Sequence, residues 1–198
     1  MSLIFHRLDR VESTNETAKL PQFQTAPHGT VIIAEEQTGG KGRHGKSFHS
    51  PPDQIYMSVI LQQADSPELT TIQAAVCVCK AIEALTSKTP KIKWVNDIFI
   101  NGKKICGILA ERNSASPDRV IVGIGINFYG VDFPPELPDA GCLFDFGEEL
   151  TLTREQLITE TATAIIQRPN KQDLIQQYKS RLIQGSNLDE INKQLSQI

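Results

Sequence analysis

Lys91-Ile-Lys-Trp-Val-Asn-Asp-Ile-Phe-Ile-Asn-Gly-Lys-Lys-Ile-Cys-Gly-Ile-Leu-Ala-Glu111 reads as two apolar segments folded back on each other at one dipeptide. Asn101-Gly102 is the strongest short hairpin signal available. Both central residues of a type I′ turn need φ > 0, which asparagine and glycine tolerate. Lys91–Trp94 predicts a short strand, which Val95-Asn96-Asp97 interrupts and Ile98–Ile100 resumes. The returning strand covers Lys103–Glu111. A polar loop over Asn113–Asp118 follows, and Arg119-Val-Ile-Val-Gly-Ile-Gly-Ile126 comes back as a third strand. Such a meander builds a mainly antiparallel sheet with one face covered by helices. The expected fold class is therefore α+β: a mixed, mainly antiparallel sheet flanked by helices.

Upstream, Thr30–Ala34 and Ile55–Leu61 are apolar runs of strand length. The first delivers Glu35, Glu36 and Gln37 to the mouth of a loop, Gly39-Gly-Lys-Gly-Arg-His-Gly-Lys46, and Pro51–Gln54 forms a turn before the second. Ser13-Thr-Asn-Glu16 has the S-x-x-E form of a capping box, so a short helix is expected from Thr14 to Leu20, stopped by Pro21. Leu69–Ser87 has helical periodicity with Ile72, Val76, Cys79, Ile82 and Leu85 on one stripe and Thr70 or Thr71 as cap. Gly130–Glu149 reads as an extended loop. Thr153-Arg-Glu-Gln156 is a second capping box, opening a helix to about Gln167. Asn170 starts another helix, with Gly185 as its C-cap. Leu188, Ile191, Leu195 and Ile198 mark a final amphipathic helix that packs on the core by default, or on a partner.

A chain of 198 residues suits one domain with a sizeable core. Hydrophobic content of 39% and charged content of 22% are those of a soluble globular protein. A net charge of −3 argues against a general nucleic-acid binder, so the cationic loop is a local feature. No apolar run approaches the roughly 18 residues of a membrane span. Met1–Arg7 lacks the pattern of a signal peptide. Cys77, Cys79, Cys106 and Cys142 form no C-x-x-C pair and read as buried free thiols in a reducing, cytoplasmic compartment.

Glycines at 39, 40, 42 and 45 let backbone N–H groups converge on an anion, and Lys41, Arg43, His44 and Lys46 supply matching charge. Taken alone, the loop is equally a solvated hairpin tip or a nucleic-acid patch. Asn96-Asp97 is by itself a turn, and Lys103-Lys104 by itself a solvated face.

In combination the motifs are more specific. Ser13-Thr-Asn15, Gly40-Lys-Gly-Arg-His-Gly45, Lys93-Trp-Val-Asn-Asp97, Lys104-Ile-Cys-Gly-Ile108 and Gly125-Ile-Asn127 follow one another as in biotin–protein ligases, which the chain resembles from about Leu8 to Phe128. The resemblance implies the catalytic fold shared with class II aminoacyl-tRNA synthetases, over residues 1–185, with 186–198 a short helical tail. It implies an ATP-dependent ligase that makes biotinyl-5′-AMP and transfers biotin to a lysine of a biotin carboxyl carrier protein of acetyl-CoA carboxylase or a similar carboxylase. Mg²⁺ is expected as the companion of ATP, its protein ligands left unassigned.

Residue by residue, the resemblance implies that Ser13, Thr14, Asn15 and Gln37 bind biotin, with Gly107 beside it. Lys41, Gly42 and Arg43 would close over biotin and the adenylate. Lys104 would contact the reacting carboxylate and α-phosphate. Phe48, Asn96 and Asn127 would lie near adenine, Lys46 near phosphates, and Asp97 near the metal or reacting groups. Lys104, Arg43 and Asp97 form the expected catalytic set. Two positions depart from the family pattern. Lys41 stands for the first arginine of Gly-Arg-Gly-Arg and loses its bidentate fork; Val95 stands for the proline of Trp-Pro-Asn-Asp.

Only twelve residues precede Ser13, so a DNA-binding helix-turn-helix domain and repressor activity are not expected, nor is nucleic-acid or membrane binding. The SH3-like barrel of many members is not evident after Gly185. The oligomeric state is left open, a homodimer included. Rival readings are a lipoate or octanoyl transferase of the same fold, whose members lack this glycine loop, and a biotin- or nucleotide-binding module without catalysis.

Overall fold

The Asn101-Gly102 turn joins two neighbouring strands near one edge of a seven-stranded sheet. The computed structural model describes residues 2–113, 116–167 and 170–196. In chain order the elements are β1 (Ile4–Val11), α1 (Thr14–Ala18), β2 (Thr30–Gln37), β3 (Ile55–Gln62), α2 (Pro67–Leu85), β4 (Lys91–Lys93), β5 (Asp97–Ile100), β6 (Lys103–Asn113), β7 (Ser116–Ile126), α3 (Arg154–Ile166), α4 (Lys171–Ser180) and α5 (Leu188–Leu195). The strand order is β1-β2-β3-β7-β6-β5-β4. β1 runs parallel to β2, and every other pairing is antiparallel. Asn101 and Gly102 have φ of 49° and 78°, and Ile100 pairs with Lys103 across the turn, as the dipeptide predicts.

The two-residue period of a strand sends alternate side chains to opposite faces. Val31, Ile33, Val59, Leu61, Val120, Val122 and Ile124 join one core with α2, α3, α4 and α5. Ile32, Ile60 and Ile121 face the other way, under Ala18 and Phe23. Further along that second face the register brings Ser58 opposite Gly123 and Tyr56 opposite Gly125, and Gly107 pairs with Gly125 on the far side. The second face thus changes from apolar to glycine-rich, and that change opens the floor of the site.

Several elements differ from expectation. β1 was not expected; it is a sheet edge whose side chains are largely exposed, so no apolar alternation marks it. At α1 the Ser13 side chain makes no capping bond; its carbonyl accepts from Thr17 N at 2.9 Å, and Glu16 turns to lysines instead. The cap of α2 is Ser66, whose Oγ accepts from Leu69 N at 3.2 Å. α4 ends at Ser180, and Gly185, φ +87°, lies in the turn beyond. Ser116–Asp118 belong to β7, while 114 and 115 lie outside the described residues.

The capping box at Thr153 does form, and Asn170 caps α4. In α5, Ile191 and Leu195 enter the main core and Leu188 stays half exposed; Ile198 lies outside the described residues. Chain following α4 covers the β4 edge, with Ile92 N donating to Arg181 O at 2.7 Å. The Trp94–Val95 peptide is cis. All four cysteines are free; burial pushes the thiols of Cys77 and Cys79 up to about 12 and that of Cys106 well above its ordinary value. Among the described residues no helix is long and apolar enough to cross a membrane.

Candidate active site

The glycine floor carries a cleft of about 550 Å³. A Cβ on Gly123 would stand 2.4 Å from Asn15 Oδ1, and one on Gly125 only 2.5 Å from the Phe48 ring. Gly107 lies under the same ring, its own Cβ position 3.0 Å away. One side chain from α1 and one from the glycine loop can rest on the sheet only because these strand positions lack side chains.

One wall is the start of α1, where Ser13, Thr14 and Asn15 are all buried. Gln37, at the end of β2, accepts from Thr14 N at 2.8 Å through Oε1 and donates through Nε2 to Ser50 Oγ at 3.1 Å. Asn15 Nδ2 donates to Glu111 Oε2 at 2.7 Å and to Leu109 O at 3.2 Å. Ser58 Oγ sits 2.6 Å from Asn15 Oδ1 and 2.8 Å from Thr14 Oγ1. This wall is a set of fixed donors and acceptors, suited to a neutral polar ring.

The roof is the glycine loop, folded as a small hairpin. Gly42 N donates to Lys46 O at 2.7 Å and Phe48 N to Gly40 O at 2.8 Å. Arg43–Gly45 is a single tight turn, with His44 and Gly45 at φ of 57° and 75°. Arg43 and Lys46 line the cleft. Lys41 lines it too, but its Nζ lies 3.1 Å from Glu16 Oε1 and 3.8 Å from Glu12 Oε1.

The opposite wall comes from the Asn101-Gly102 hairpin. Lys104 Nζ lies 2.8 Å from Asp97 Oδ1 across β5 and β6. Asn96 donates through Nδ2 to Ile108 O at 3.0 Å, and its own carbonyl accepts from Ile108 N. Residues 136–140 form a lip over Lys104, whose N–H donates to Asp139 O at 2.7 Å.

Thirteen of the fourteen site residues named from the sequence line this one cleft; Asn127 does not. Its Nδ2 donates to Gly141 O at 2.9 Å and its N–H to Ile105 O at 2.8 Å, which ties the end of β7 to the lip behind Lys104. Sequence reading missed Ser58, Glu111 and Gly123. Ser58 had a signal, being the one serine inside the apolar run Ile55–Leu61, and so did Gly123, a glycine inside a strand. Glu111 had none.

Lys41, Arg43, Lys46, Lys93 and Lys104 face the cleft, against the carboxylates of Asp97, Glu136 and Asp139. Cations therefore approach from the roof and from the sheet. That arrangement can hold two anionic groups together against their repulsion and stabilise charge that builds between them.

The chain matches known proteins over the same region. Residues 8–127 fit the model of the biotin/lipoate A/B protein ligase family. The bifunctional ligase/repressor BirA of Bacillus spizizenii is 45% identical over 141 residues, 66% of this chain and 43% of that protein. The biotin–[acetyl-CoA-carboxylase] ligase of Mycobacterium tuberculosis is 32% identical over 166 residues, 77% of this chain and 60% of that one. The chain spans about half the length of the curated relatives it matches. The biotin protein ligase of Aquifex aeolicus in complex with biotin and ATP superimposes with a TM-score of 0.71 at 26% identity, over 90% of this chain and 73% of that one. That of Leishmania major in complex with biotinyl-5-AMP gives 0.77 at 24% identity, over 92% and 83%, a likeness of fold. The family match takes in more than half of the sequence, and the chain belongs to the biotin/lipoate A/B protein ligase family.

Proposed function

We propose that the protein is a biotin–protein ligase. In the first step a biotin carboxylate oxygen attacks the α-phosphorus of ATP, the bond to the β,γ-diphosphate breaks, and biotinyl-5′-AMP and pyrophosphate form. In the second, the ε-amine of a carrier-protein lysine attacks the activated carbonyl. The amide forms, the carbon–oxygen bond to phosphate breaks, AMP leaves, and the amine's proton passes to solvent.

The observation that carries this reading is the pairing of Lys104 on the sheet wall with Arg43 on the roof, in one cleft walled by Asn15, Thr14 and Gln37. Biotin's ureido ring would take the polar wall and its carboxylate would lie toward Lys104. Lys104 would screen the two anions from each other and stabilise the α-phosphate as negative charge gathers on it. Asp97, 2.8 Å away, would orient the ammonium group. Phe48 would offer its ring to adenine, beside Asn96, and Lys46 would meet phosphate. Holding both reactants in line supplies much of the remaining acceleration.

Mg²⁺ accompanies ATP phosphates and needs only one or two protein carboxylates when phosphates complete its shell. Asp97, Glu136 and Asp139 line the cleft and suit that need. The ion would neutralise phosphate charge there. The relatives' names, and the free thiols, favour an acetyl-CoA carboxylase carrier and a cytoplasmic setting.

The test is incubation with biotin, Mg²⁺-ATP and a carrier domain, followed by intact mass. A gain of one biotin on the carrier is expected. Incorporation of lipoate or octanoate in its place, or biotin binding with no transfer, would overturn the reading.

A further inference from the structure

The S-x-x-E stretch at α1 supplies a glutamate that the helix does not use. A capping glutamate would reach back to the N-cap backbone. Glu16 instead points outward, with Oε1 2.8 Å from Lys19 Nζ and 3.1 Å from Lys41 Nζ. Lys19 Nζ continues to Glu111 Oε1 at 3.1 Å, and Glu111 Oε2 accepts from Asn15 Nδ2 at 2.7 Å. Asn15 then meets Ser58 Oγ at 2.6 Å. One charged chain therefore runs from the glycine loop, along α1, to the polar wall and the sheet beneath it.

The loop's cations are divided by this chain. Lys41 is held by Glu16 and Glu12, whereas Arg43 and Lys46 have no carboxylate within ion-pair distance among the described residues. The limb that carries Lys41 is also tied through its backbone, with Gly39 N donating to Glu12 O at 2.8 Å. The turn at Arg43–Gly45 is held within the loop itself, by Gly42 N to Lys46 O at 2.7 Å and Lys46 N to Arg43 O at 3.2 Å.

We propose that Glu16 is a positioning residue for the glycine loop: it fixes Lys41 directly and Asn15 through Lys19 and Glu111, so that roof and polar wall are set as one unit. This rests on the biotin-ligase reading. The carboxyl is held below its usual range, first by the Lys19 hydrogen bond and also by Lys41, so it is charged at neutral pH. On this view Lys41 is a fastening rather than a phosphate ligand, a role that needs a point charge and not an arginine fork.

Glu16→Gln tests it by three measurements. Partly exposed ion pairs couple weakly, so the expected effects are about three- to fivefold. Trypsin should cut the ligand-free loop at Lys41, Arg43 and Lys46 faster by that factor. Biotinyl-5′-AMP should leave faster by a similar factor, followed by the emission of Trp94, the single tryptophan, which lines the cleft. The rate of adenylate formation at saturating biotin and ATP should change little, whereas a merely structural loss would lower it together with Tm. The Glu16→Gln/Lys41→Gln double variant should be no worse than the worse single one, because both open the same pair.

Unchanged proteolysis and release in Glu16→Gln, or multiplying effects in the double variant, would overturn the proposal. If Glu16→Gln fails to fold, Lys41→Gln opens the pair from the loop side and must give the same increases in adenylate release and in trypsin cleavage at Arg43 and Lys46, the Lys41 site itself being removed. A wild-type protein that neither forms nor retains the adenylate sinks the ligase reading. A wild-type protein that retains it, with variants that match it, sinks this proposal alone.

Discussion

Gly123→Ala is the most informative small change at the site, because its effect can be worked from geometry. The new methyl carbon would lie 2.4 Å from Asn15 Oδ1, 2.9 Å from Cγ and 3.0 Å from Nδ2. Restoring ordinary contact moves the amide by about 1 Å. Asn15 cannot move freely, since Glu111, Leu109 O and Ser58 hold it. Overpacking of this kind costs about 1–3 kcal/mol, and each hydrogen bond lost adds about 0.5–1.5 kcal/mol. A loss of about 1.5–6 kcal/mol follows when one or two bonds give way. At this chain length each kcal/mol lowers Tm by about 2–4 °C, so the fall is about 3–24 °C. Displacing the Asn15 amide should also weaken biotin binding about 10- to 100-fold. Scanning calorimetry reads the first effect and a biotin titration of Trp94 emission the second. Because the clash is with the amide, adding Asn15→Ala should make Gly123→Ala nearly harmless to Tm relative to Asn15→Ala alone. A Gly123→Ala protein with wild-type Tm and biotin affinity would refute this reasoning, as would full additivity in the double variant.

Arg43→Gly should speed release of the adenylate by tenfold or more and spread biotin to lysines outside the carrier, read by peptide mass mapping; labelling confined to the carrier would count against the loop as a roof. Tyr178→Phe removes the hydrogen bond its hydroxyl donates to Val95 O at 2.8 Å. A buried carbonyl losing its partner costs about 1–3 kcal/mol, so Tm should fall by about 2–12 °C. The buried thiols give a pH signature. Burial raises Cys77 and Cys79 to about 12, so the folded chain keeps protons that the unfolded chain loses above about 9. Stability present below that pH should decline as pH rises toward 12. In thiol titration at pH 8, half-buried Cys142 should react first and the other three only on unfolding.

The parts of the fold written in local chemistry were legible. Asn101-Gly102 gave its hairpin, and Thr153 and Asn170 gave their caps, because each depends on residues a few positions apart. β1 was hidden, since an edge strand with exposed side chains has no apolar period to detect. Ser13–Glu16 marked the start of α1, but its capping bonds do not form, because Lys19 one turn on, at 2.8 Å, and Lys41, distant in sequence, at 3.1 Å take the carboxylate that the cap would have used. The amide of Asn127 donates to a backbone carbonyl of the lip, a tertiary bond that no local motif announces. Ser58, Glu111 and Gly123 acquire their importance only from strand register, which sets three separate elements around one asparagine. The cleft itself was traceable because its cations and glycines cluster in short motifs; the network that holds those motifs together was not.

Biotin-dependent exchange of labelled pyrophosphate into ATP, compared between the wild type and Lys104→Ala, bears most directly on the idea that paired cations join two anionic reactants. At an effective dielectric constant of about 20, one unit charge about 4 Å from another contributes about 4 kcal/mol, which corresponds to a rate factor on the order of 10³. The wild type should catalyse exchange only when biotin is present, and Lys104→Ala, still folded by circular dichroism, should lose it by about that factor. Exchange within tenfold of wild type in the folded variant would contradict the role given to Lys104.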